Sequence, residues 1–435
     1  MKILLVNKYY YVRGGSETYF FALAESLKKA GHEVIFFAMQ DEKNLPCEQS
    51  KYFVKNIDFN KKNNIFTKIK LAFKMVYSRE AKKKFEKLVK DEKPDIIHVN
   101  LFHRVLTASI IDVAKKHKIP VVFTMHDLNC VCPNHTMLNH GKNCELCLKG
   151  DYYNCVKQVC FKNSRAKCFM AYLESRYNKK SGLYNKIDCF ITPSSFYQHK
   201  LEESKLTSSK IITMRNFLSD DYKCDVNQPI TVGDSFLYFG RLSEEKGVAT
   251  LLKAVALNKN IKLKVVGTGP LEEELKKLST DLNIDSRVEF CGFKKGEELK
   301  NYIRNSRAVI LPSEGYENGP YSIMEAMALG KPAIVSKIGG LPEIVEDGYN
   351  GYIFKAFDKE DLISKIVKMQ TASDNEIEKM GRNAIAFAKE NFNKDKYIQQ
   401  LVGIYNELLK REWNSRWKRT IFLFVMQMQE RIKLH

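Results

Sequence analysis

Short apolar runs and longer stretches with helical spacing alternate along this chain. Residues 2–7, 120–125 and 308–311 are dominated by apolar side chains, a pattern typical of parallel strands that are buried on both faces. Stretches such as 18–29 and 321–329 instead place apolar residues three or four positions apart, which predicts amphipathic helices. The alternation of the two patterns predicts an α/β protein with helices packed on parallel sheets.

The alternating pattern occurs twice, which predicts two domains. The first is predicted over residues 1–215, with an inserted Cys-rich segment at 130–168, and the second over 216–391. Residues 392–410 have the pattern of one further helix, and residues 411–435 form a basic amphipathic tail. Because ligands of such domains bind at the carboxyl ends of the parallel strands, the loops that follow the strands hold the candidate residues.

Composition and charge narrow the function classes. The chain has 435 residues, of which 44% are hydrophobic, enough for two or three globular domains. Its formal net charge of +20 favours an anionic partner, namely nucleic acid, anionic lipid or an anionic substrate. No apolar run is long enough for a transmembrane helix, and the N-terminus has the pattern of a strand rather than of a signal peptide. A cytoplasmic location is therefore predicted.

Two basic segments favour a peripheral location on the inner face of the cell membrane. Residues 51–90 are rich in Lys and Arg, and an apolar stripe runs through them at Ile65, Ile69, Phe73 and Val76. The tail has a second stripe flanked by Arg and Lys, which consists of Trp413, Trp417, Ile421, Phe424 and Met428. For both segments the alternative is a helix that packs on the protein itself and leaves its cationic face in water.

Glycine turns after predicted strands are candidates for close contact between backbone and ligand. Gly14 and Gly15 precede a helix for which Ser16 is a candidate cap, so this turn suits a phosphate or a sugar. It lacks the third glycine of a dinucleotide fingerprint, and an ordinary tight turn is the alternative. Gly267 marks a second open turn in the sequence GTG, which is a weak signal by itself.

A pair of cations follows the first predicted strand of the second domain. Arg241 and Lys246 lie between two glycines in the sequence GRLSEEKG. Arg can bind phosphate through two parallel hydrogen bonds and Lys supplies a point charge, so this loop is a candidate diphosphate site. The alternative is a solvated pair of surface cations.

The stretch from Leu311 to Pro332 combines a strand end, a polar loop, a helix and the start of another strand. Glu317 in the loop and Glu325 in the helix have seven residues between them, so that both carboxylates can address one ligand. Because the loop follows a parallel strand, a ligand site is predicted here. The spacing alone is equally compatible with an ordinary βαβ unit that carries surface acids.

Three further polar residues follow predicted strands. His126 ends the fourth strand of the first domain, where ligands of α/β sheets bind, although a single His is more often structural. Asp127 is a candidate either to orient the His126 imidazole or to cap the next segment. Glu343 opens a helix after another glycine turn, where we expect it to interact with the helix dipole.

Two motifs together resemble those of a known enzyme family. The sequence SEGYENGPYSIMEAMALGKPAIVS resembles the E-x7-E motif of retaining glycosyltransferases of family 4, and GRLSEEKG resembles their GR-x4-KG motif. The resemblance covers the chain apart from the details of the Cys-rich segment and the tail. It implies the GT-B fold, an α/β architecture in which two Rossmann-like domains face each other across a central cleft. It also implies that the helix at 392–410 crosses back to the first domain.

The resemblance implies roles for the nucleotide-binding residues. Arg241 and Lys246 would hold the donor diphosphate and stabilise it as a leaving group, so that no metal or other cofactor is required for catalysis. Glu325 would bind the ribose hydroxyls, and Gly267 would lie near the nucleotide.

The same resemblance places the transferred sugar between the domains. His126 would point at this sugar from the first domain, and Glu317 would contact it from the second. The remaining residues expected to contact the donor are Gly14, Gly15, Asn318, Gly319 and Pro320. At Asn318 the sequence departs from the family pattern, in which Gly is frequent, and this leaves the identity of the sugar open.

Seven of the eleven cysteines crowd into residues 130–168. The C-x2-C spacing at the centre of this segment is typical of a zinc site, and such an ion would be structural. The candidate ligands are Cys132, Cys144, Cys147, Cys155 and Cys160. Free buried thiols and disulfides are the alternatives.

The resemblance implies a retaining glycosyltransferase, and the two basic segments lead us to predict a role in bacterial surface-polysaccharide synthesis. The enzyme would move a sugar from a nucleotide-diphosphate sugar to a glycan or a lipid-linked acceptor, and no nucleic-acid partner is expected. A glycosidase would also use two Glu residues but would not need Arg241 and Lys246 beside glycine turns. A basic nucleic-acid-binding protein would explain the charge and the cysteines but not the paired α/β halves. A non-catalytic binding protein with the same fold is the remaining alternative.

Overall fold

The computed structural model of the protein describes residues 1–56, 71 and 73–412. Ile65 and Ile69 of the first apolar stripe, and the whole of the stripe that starts at Trp413, lie outside these residues. Within the described part of the chain, no helix is long and apolar enough to cross a membrane.

The first domain is built on a six-stranded parallel sheet. In chain order the strands of the whole domain are β1 (Lys2–Val6), β2 (Glu33–Phe37), β3 (Ile96–Val99), β4 (Val121–Thr124), β5 (Leu138–Asn139), β6 (Lys142–Asn143), β7 (Cys189–Thr192) and β8 (Lys210–Thr213). The hairpin of β5 and β6 stands apart, and the sheet has the order β2-β1-β3-β4-β7-β8. The helices are α1 (Gly15–Lys29), α2 (Arg79–Glu92), α3 (Ser109–Lys116), α4 (Asn154–Gln158), α5 (Arg165–Lys180) and α6 (Ser195–Ser204).

The second domain repeats this plan. Its strands are β9 (Phe236–Phe239), β10 (Leu263–Val266), β11 (Val288–Gly292), β12 (Val309–Leu311), β13 (Ala333–Ser336) and β14 (Gly351–Phe354). They form a parallel sheet in the order β11-β10-β9-β12-β13-β14. The helices are α7 (Val248–Ala256), α8 (Glu272–Asp281), α9 (Gly296–Arg304), α10 (Tyr321–Ala328), α11 (Lys359–Thr371) and α12 (Asp374–Asn391).

The expected α/β architecture with two Rossmann-like domains is confirmed. Every residue of β4 and β9 is buried, as the continuous apolar runs predict for strands covered on both faces. Each sheet packs into its own hydrophobic core, with β9 to β13 in the core of the second domain.

The strand order creates a crevice in each domain. The strand that begins each sheet lies inside it, β1 between β2 and β3 and β9 between β10 and β12. Successive connections therefore leave this strand in opposite directions, which opens a crevice at its carboxyl end. The loops that follow β1 and β9 carry Gly14, Gly15, Arg241 and Lys246, so the fold places these residues where α/β domains bind ligands.

The last described helix, at 394–412, packs on the first domain. The Tyr397 and Tyr405 side chains are buried there among residues of β1 and α1. Their hydroxyl groups hydrogen bond with Tyr19 Oη at 2.7 Å and with His98 Nδ1 at 2.5 Å, respectively. The chain thus returns to the first domain, as the resemblance implies.

The chain crosses between the domains twice, and the two crossings lie side by side. The Leu218 N–H donates a hydrogen bond to the Phe392 carbonyl oxygen at 3.1 Å. Asp220 forms ion pairs with Lys394 and, at 3.0 Å, with Lys29 of α1. The outgoing and returning segments are therefore attached to each other and to the first domain.

Candidate functional site

The two motifs that carry the family resemblance meet in the second domain. Glu317 Oε1 accepts a hydrogen bond from Lys246 Nζ at 2.6 Å and another from Ser313 Oγ at 2.6 Å. Glu317 is only 9% exposed, so this ion pair is largely screened from water. Lys246 and Ser313 lie in the loops that follow β9 and β12. The Glu317 carboxylate therefore holds the Lys246 ammonium beside the crevice of this domain.

Arg241 is exposed in the same loop after β9 that carries Lys246. Gly240 has a φ of +154°, and a Cβ at Gly267 would lie 1.9 Å from the Gly240 carbonyl oxygen. The turns after β9 and β10 thus touch through their backbones, and only glycine fits at Gly267. Burial lowers the pKa of His135 in the first domain to about 3, and the charge of Arg241 is a smaller cause of the same shift.

A glycine turn after β13 supports the Glu317 loop. The Gly340 N–H donates to the Glu317 carbonyl oxygen at 2.7 Å. Gly339 has a φ of +58°, and a Cβ there would lie 2.4 Å from the same oxygen. The close approach of the two backbones holds the Glu317 loop in one position.

Asn318 connects the E-x7-E loop to the first domain. Its Nδ2 donates a hydrogen bond to the His126 carbonyl oxygen at 2.7 Å. The next residue, Gly319, has a φ of +144°, and its carbonyl oxygen accepts a bond from Asn216 Nδ2 at 3.2 Å. The residue at which the sequence departs from the family pattern is therefore an interdomain contact. The resemblance did not indicate this contact.

The His126 imidazole lies at the end of β4 and is neutral. Its Nε2 donates to Asn100 Oδ1 at 2.8 Å, and its ring meets the Tyr19 ring edge to face, with 4.8 Å between the centroids. Burial lowers the pKa of His126 to about 3. Since Nε2 carries the proton, Nδ1 keeps a lone pair that can accept a hydrogen bond from a sugar hydroxyl. Asp127 does not orient this ring; its Oδ1 accepts the Asn129 N–H at 3.0 Å and caps the next segment.

Glu325 lies on α10 and takes no part in the Lys246–Glu317 pair. Burial raises its pKa to about 7, and the neighbouring Tyr222 hydroxyl and Lys300 charge oppose that rise. The structure places the two acids of the E-x7-E motif in different environments, one ion-paired and one without a cation in hydrogen-bond contact.

The N-termini of α1 and α10 approach each other across the cleft. A Cβ at Gly15 would lie 3.3 Å from Tyr321 Cδ2, in the first turn of α10. Gly14 caps α1 and Pro320 caps α10, and neither supplies a side-chain cap. The expectation that Ser16 caps α1 is wrong: the helix already begins at Gly15, and Ser16 Oγ donates to Glu17 Oε1 at 3.0 Å. Gly14, Gly15 and Pro320 thus come together at two helix ends that favour an anion.

The structure also corrects the expectation that Glu343 interacts with the dipole of the helix that it opens. Its carboxylate does not act on its own short helix but accepts the backbone N–H groups of Ser195 and Phe196, at 2.9 and 2.8 Å, in the first turn of α6. Glu343 therefore caps a helix of the other domain. The helix start at Ser194 is visible in the sequence, but nothing in the sequence indicates a partner so far along the chain.

The five candidate zinc ligands, Cys132, Cys144, Cys147, Cys155 and Cys160, line one small cavity. Cys160 Sγ lies 3.5 Å from Cys155 Sγ, and every cysteine in the described residues is a free thiol. Across residues 1–56, 71 and 73–412, however, no three or more His, Cys, Asp or Glu side chains are arranged to hold a metal ion. A structural zinc stays a prediction, which the metal content of protein purified without chelators will test.

Two family models match the chain, one on each domain. The model described as Glycosyltransferase Family 4 matches residues 13–222, and the model described as Glycosyl transferases group 1 matches residues 230–387.

Individual proteins resemble all or part of the chain. An uncharacterized 42.6 kDa protein from the cps region of Klebsiella pneumoniae is 24% identical over 93% of this chain and 100% of its own. The amylovoran biosynthesis glycosyltransferase AmsK of Erwinia amylovora is 25% identical over 54% of this chain and 60% of its own. The structure of Anabaena HepE with UDP and glucose is 19% identical, covers 94% of this chain and 100% of its own, and superposes with a TM-score of 0.66. Since both domains match these models and the whole architecture matches a solved structure, the chain belongs to the group 1 glycosyltransferases of family 4, which have the GT-B fold.

Proposed function

We propose that this glycosyltransferase moves a sugar from a nucleotide-diphosphate sugar to a glycan or lipid-linked acceptor, with retention of the anomeric configuration. The observation that carries the proposal is the ion pair of Lys246 and Glu317, with the exposed Arg241 in the same loop as Lys246. Two cations held at a strand end are suited to a diphosphate that gains negative charge as it leaves the sugar. This arrangement supplies the stabilising charge from the protein itself, and we propose that catalysis is independent of metal.

The helix ends support the same position for the diphosphate. The N-termini of α1 and α10 lie together without side-chain caps, so their N–H groups are available to the phosphate oxygens. Gly14 and Gly15 on one side and Gly319 on the other leave room for close approach of a ligand. The sugar would then lie between His126 and Glu317, and the departing phosphate would assist attack by the acceptor on the same face.

The relatives support the donor and the pathway class. AmsK is named for amylovoran biosynthesis, and HepE was solved with UDP and glucose. We therefore favour a UDP-sugar donor and a role in the synthesis of a bacterial surface polysaccharide. A lipid-linked acceptor would bring the enzyme to the inner face of the membrane, and Phe73, which is 72% exposed, suits that location.

Thermal unfolding in the presence of nucleotides tests the proposal. The protein is kept in buffer that contains a chelator, and UDP, GDP, ADP, dTDP or one of their sugars is added. Nucleotides with one particular base should raise the melting temperature. Lys246→Ala and Glu325→Ala should weaken nucleotide binding about tenfold or more. The first loses a charged donor to the diphosphate and the second a charged acceptor for the ribose hydroxyls. Lys259→Ala, which removes an exposed lysine of the same domain, is the matched control. If no nucleotide shifts the melting temperature, the non-catalytic alternative becomes the better one.

A further inference from the structure

A second group of cations lies at the cleft edge of the first domain. The cations Lys8 and Arg104 follow β1 and β3, and the acid Asp127 follows β4. Because these three strands are neighbours in a parallel sheet, their carboxyl ends bring the side chains together. None of these residues belongs to the motifs that carry the family resemblance.

Arg104 is fixed but incompletely bonded. Its backbone N–H donates to Glu174 Oε1 at 2.7 Å, and its guanidinium donates to the Pro133 carbonyl oxygen at 2.7 Å and lies 4.2 Å above the Phe161 ring. Its Nε is buried, lies 3.8 Å from Glu174 Oε2 and makes no hydrogen bond. The Arg104 guanidinium is therefore held in place with hydrogen-bonding capacity that its neighbours do not fill.

Lys8 and Arg13, in the loop after β1, continue this group. Both lie against the Tyr9 ring, with 5.2 Å from Lys8 Nζ and 4.7 Å from the Arg13 guanidinium to its centroid. Lys8 Nζ is half-buried and has no hydrogen-bond acceptor among the described residues. Burial and then the charges of Arg104 and Arg13 lower the pKa of Lys8 to about 8.

The acids nearby do not balance these cations. Glu174 and Asp127 are the carboxylates that act on Lys8, and Glu17 acts on Arg13. Lys162 adds a fourth cation that interacts with Lys8, Arg13 and Arg104, so four cations face three acids. Burial raises the pKa of Glu174 to about 7 and raises that of Asp127 as well, so both hold their negative charge less firmly than an exposed acid does. The cluster of Lys8, Arg13 and Arg104, which we call the first-domain cation cluster, therefore carries an excess of positive charge at the cleft.

We propose that the first-domain cation cluster binds a phosphate or diphosphate group of the acceptor. The cluster is close to the transfer site, because Asp127 directly follows His126, whose carbonyl oxygen is bound by Asn318 of the donor domain. Its residues belong to the first domain, whereas Arg241 and Lys246, which we propose for the donor diphosphate, belong to the second. This inference rests on the proposed function, since it names the chemistry of the acceptor for that reaction. The same chemistry is found in a lipid diphosphate and in a soluble phosphorylated glycan.

Calorimetric titration of the full-length protein, saturated with the nucleotide identified above, tests the inference. Inorganic pyrophosphate, farnesyl diphosphate and farnesol are the probes. We expect both diphosphates to bind and farnesol not to bind. Lys8→Met and Arg13→Ala should each weaken diphosphate binding about tenfold or more while nucleotide affinity and melting temperature stay unchanged. Lys259→Ala should behave as the wild-type protein does.

The outcomes separate the possibilities. Tighter binding of farnesyl diphosphate than of pyrophosphate supports a lipid-linked acceptor, and equal binding supports a soluble phosphorylated one. Equal diphosphate affinity in the wild type, Lys8→Met and Arg13→Ala overturns the inference, as does competition between pyrophosphate and the nucleotide for one site. If no nucleotide binds but pyrophosphate still binds through Lys8 and Arg13, the proposed function fails and the anion site stands.

Discussion

Burial acts in opposite senses on the pKa values of two candidate site residues, His126 and Glu325. It lowers the pKa of His126 to about 3 and raises that of Glu325 to about 7, because a buried site disfavours the charged form of either group. His126 is therefore a neutral hydrogen-bonding group rather than a proton donor at neutral pH. Glu325 is poised between its acid and its carboxylate, and a ligand can decide which form prevails.

A pH dependence of donor binding follows for Glu325. If its carboxylate accepts the ribose hydroxyls, donor binding favours the deprotonated form, and affinity should rise as pH increases through about 7 and then level off. Titration with the intact nucleotide sugar between about pH 6 and 8.5 measures this, since its phosphates do not change protonation in that range. Glu325→Gln should bind more weakly and lose the dependence. A dependence that persists in Glu325→Gln would assign it to another group.

At the scale of helices, the N-termini of α1, α6 and α10 differ in whether a side chain already accepts their N–H groups. The first turn of α6 is occupied by the Glu343 carboxylate from the other domain. The ends of α1 and α10 meet with no side-chain cap. An anion introduced into the cleft therefore finds two open helix ends and one that is already neutralised.

Removal of the interdomain cap should destabilise the protein. In Glu343→Ala the N–H groups of Ser195 and Phe196 lose their acceptor, and the loss of an N-cap costs about 0.5 to 2 kcal/mol. Urea unfolding of the ligand-free protein measures the change. Glu346→Ala, which removes an exposed glutamate three residues further on, is the control. If both variants unfold at the same urea concentration, the contact does not stabilise the protein.

The sequence predicts elements and motifs well, because their signals are local. The continuous apolar runs identify the strands, and two motifs, Glu317 with Glu325 and Arg241 with Lys246, predict a donor site in the second domain. The contacts that join the domains, Asn318 with His126 and Glu343 with α6, depend on how two separate folds meet. No local sequence pattern encodes how the two domains contact each other. The predicted cap at Ser16 is wrong for a different reason, because α1 begins a turn earlier than its apolar pattern indicates.

For the whole molecule, the net charge of +20 and the exposed Phe73 suggest how the enzyme finds its acceptor. We predict that the positive charge draws the protein to an anionic membrane surface and that apolar side chains then insert at the interface. Either contribution alone is weak, and together they would give reversible attachment.

Vesicle flotation tests this attachment on the full-length protein. At low salt the protein should float with vesicles that contain about one third anionic lipid but not with zwitterionic ones, and salt should reverse binding. Phe73→Glu should reduce the floated fraction. Phe293→Glu, which changes a residue of the second domain that is 68% exposed, should not. Protein that stays wholly at the bottom with anionic vesicles at low salt would contradict a membrane location.

The paired crossings between the domains determine how the cleft can open. Two chain segments that are bonded to each other act like a double hinge, which permits rotation about one axis and resists twisting or sliding. The Arg241 loop and the His126 strand end would therefore approach along a single arc in each catalytic cycle. A protease that cuts only one of the two segments should leave the halves aligned, because the other segment still serves as the pivot.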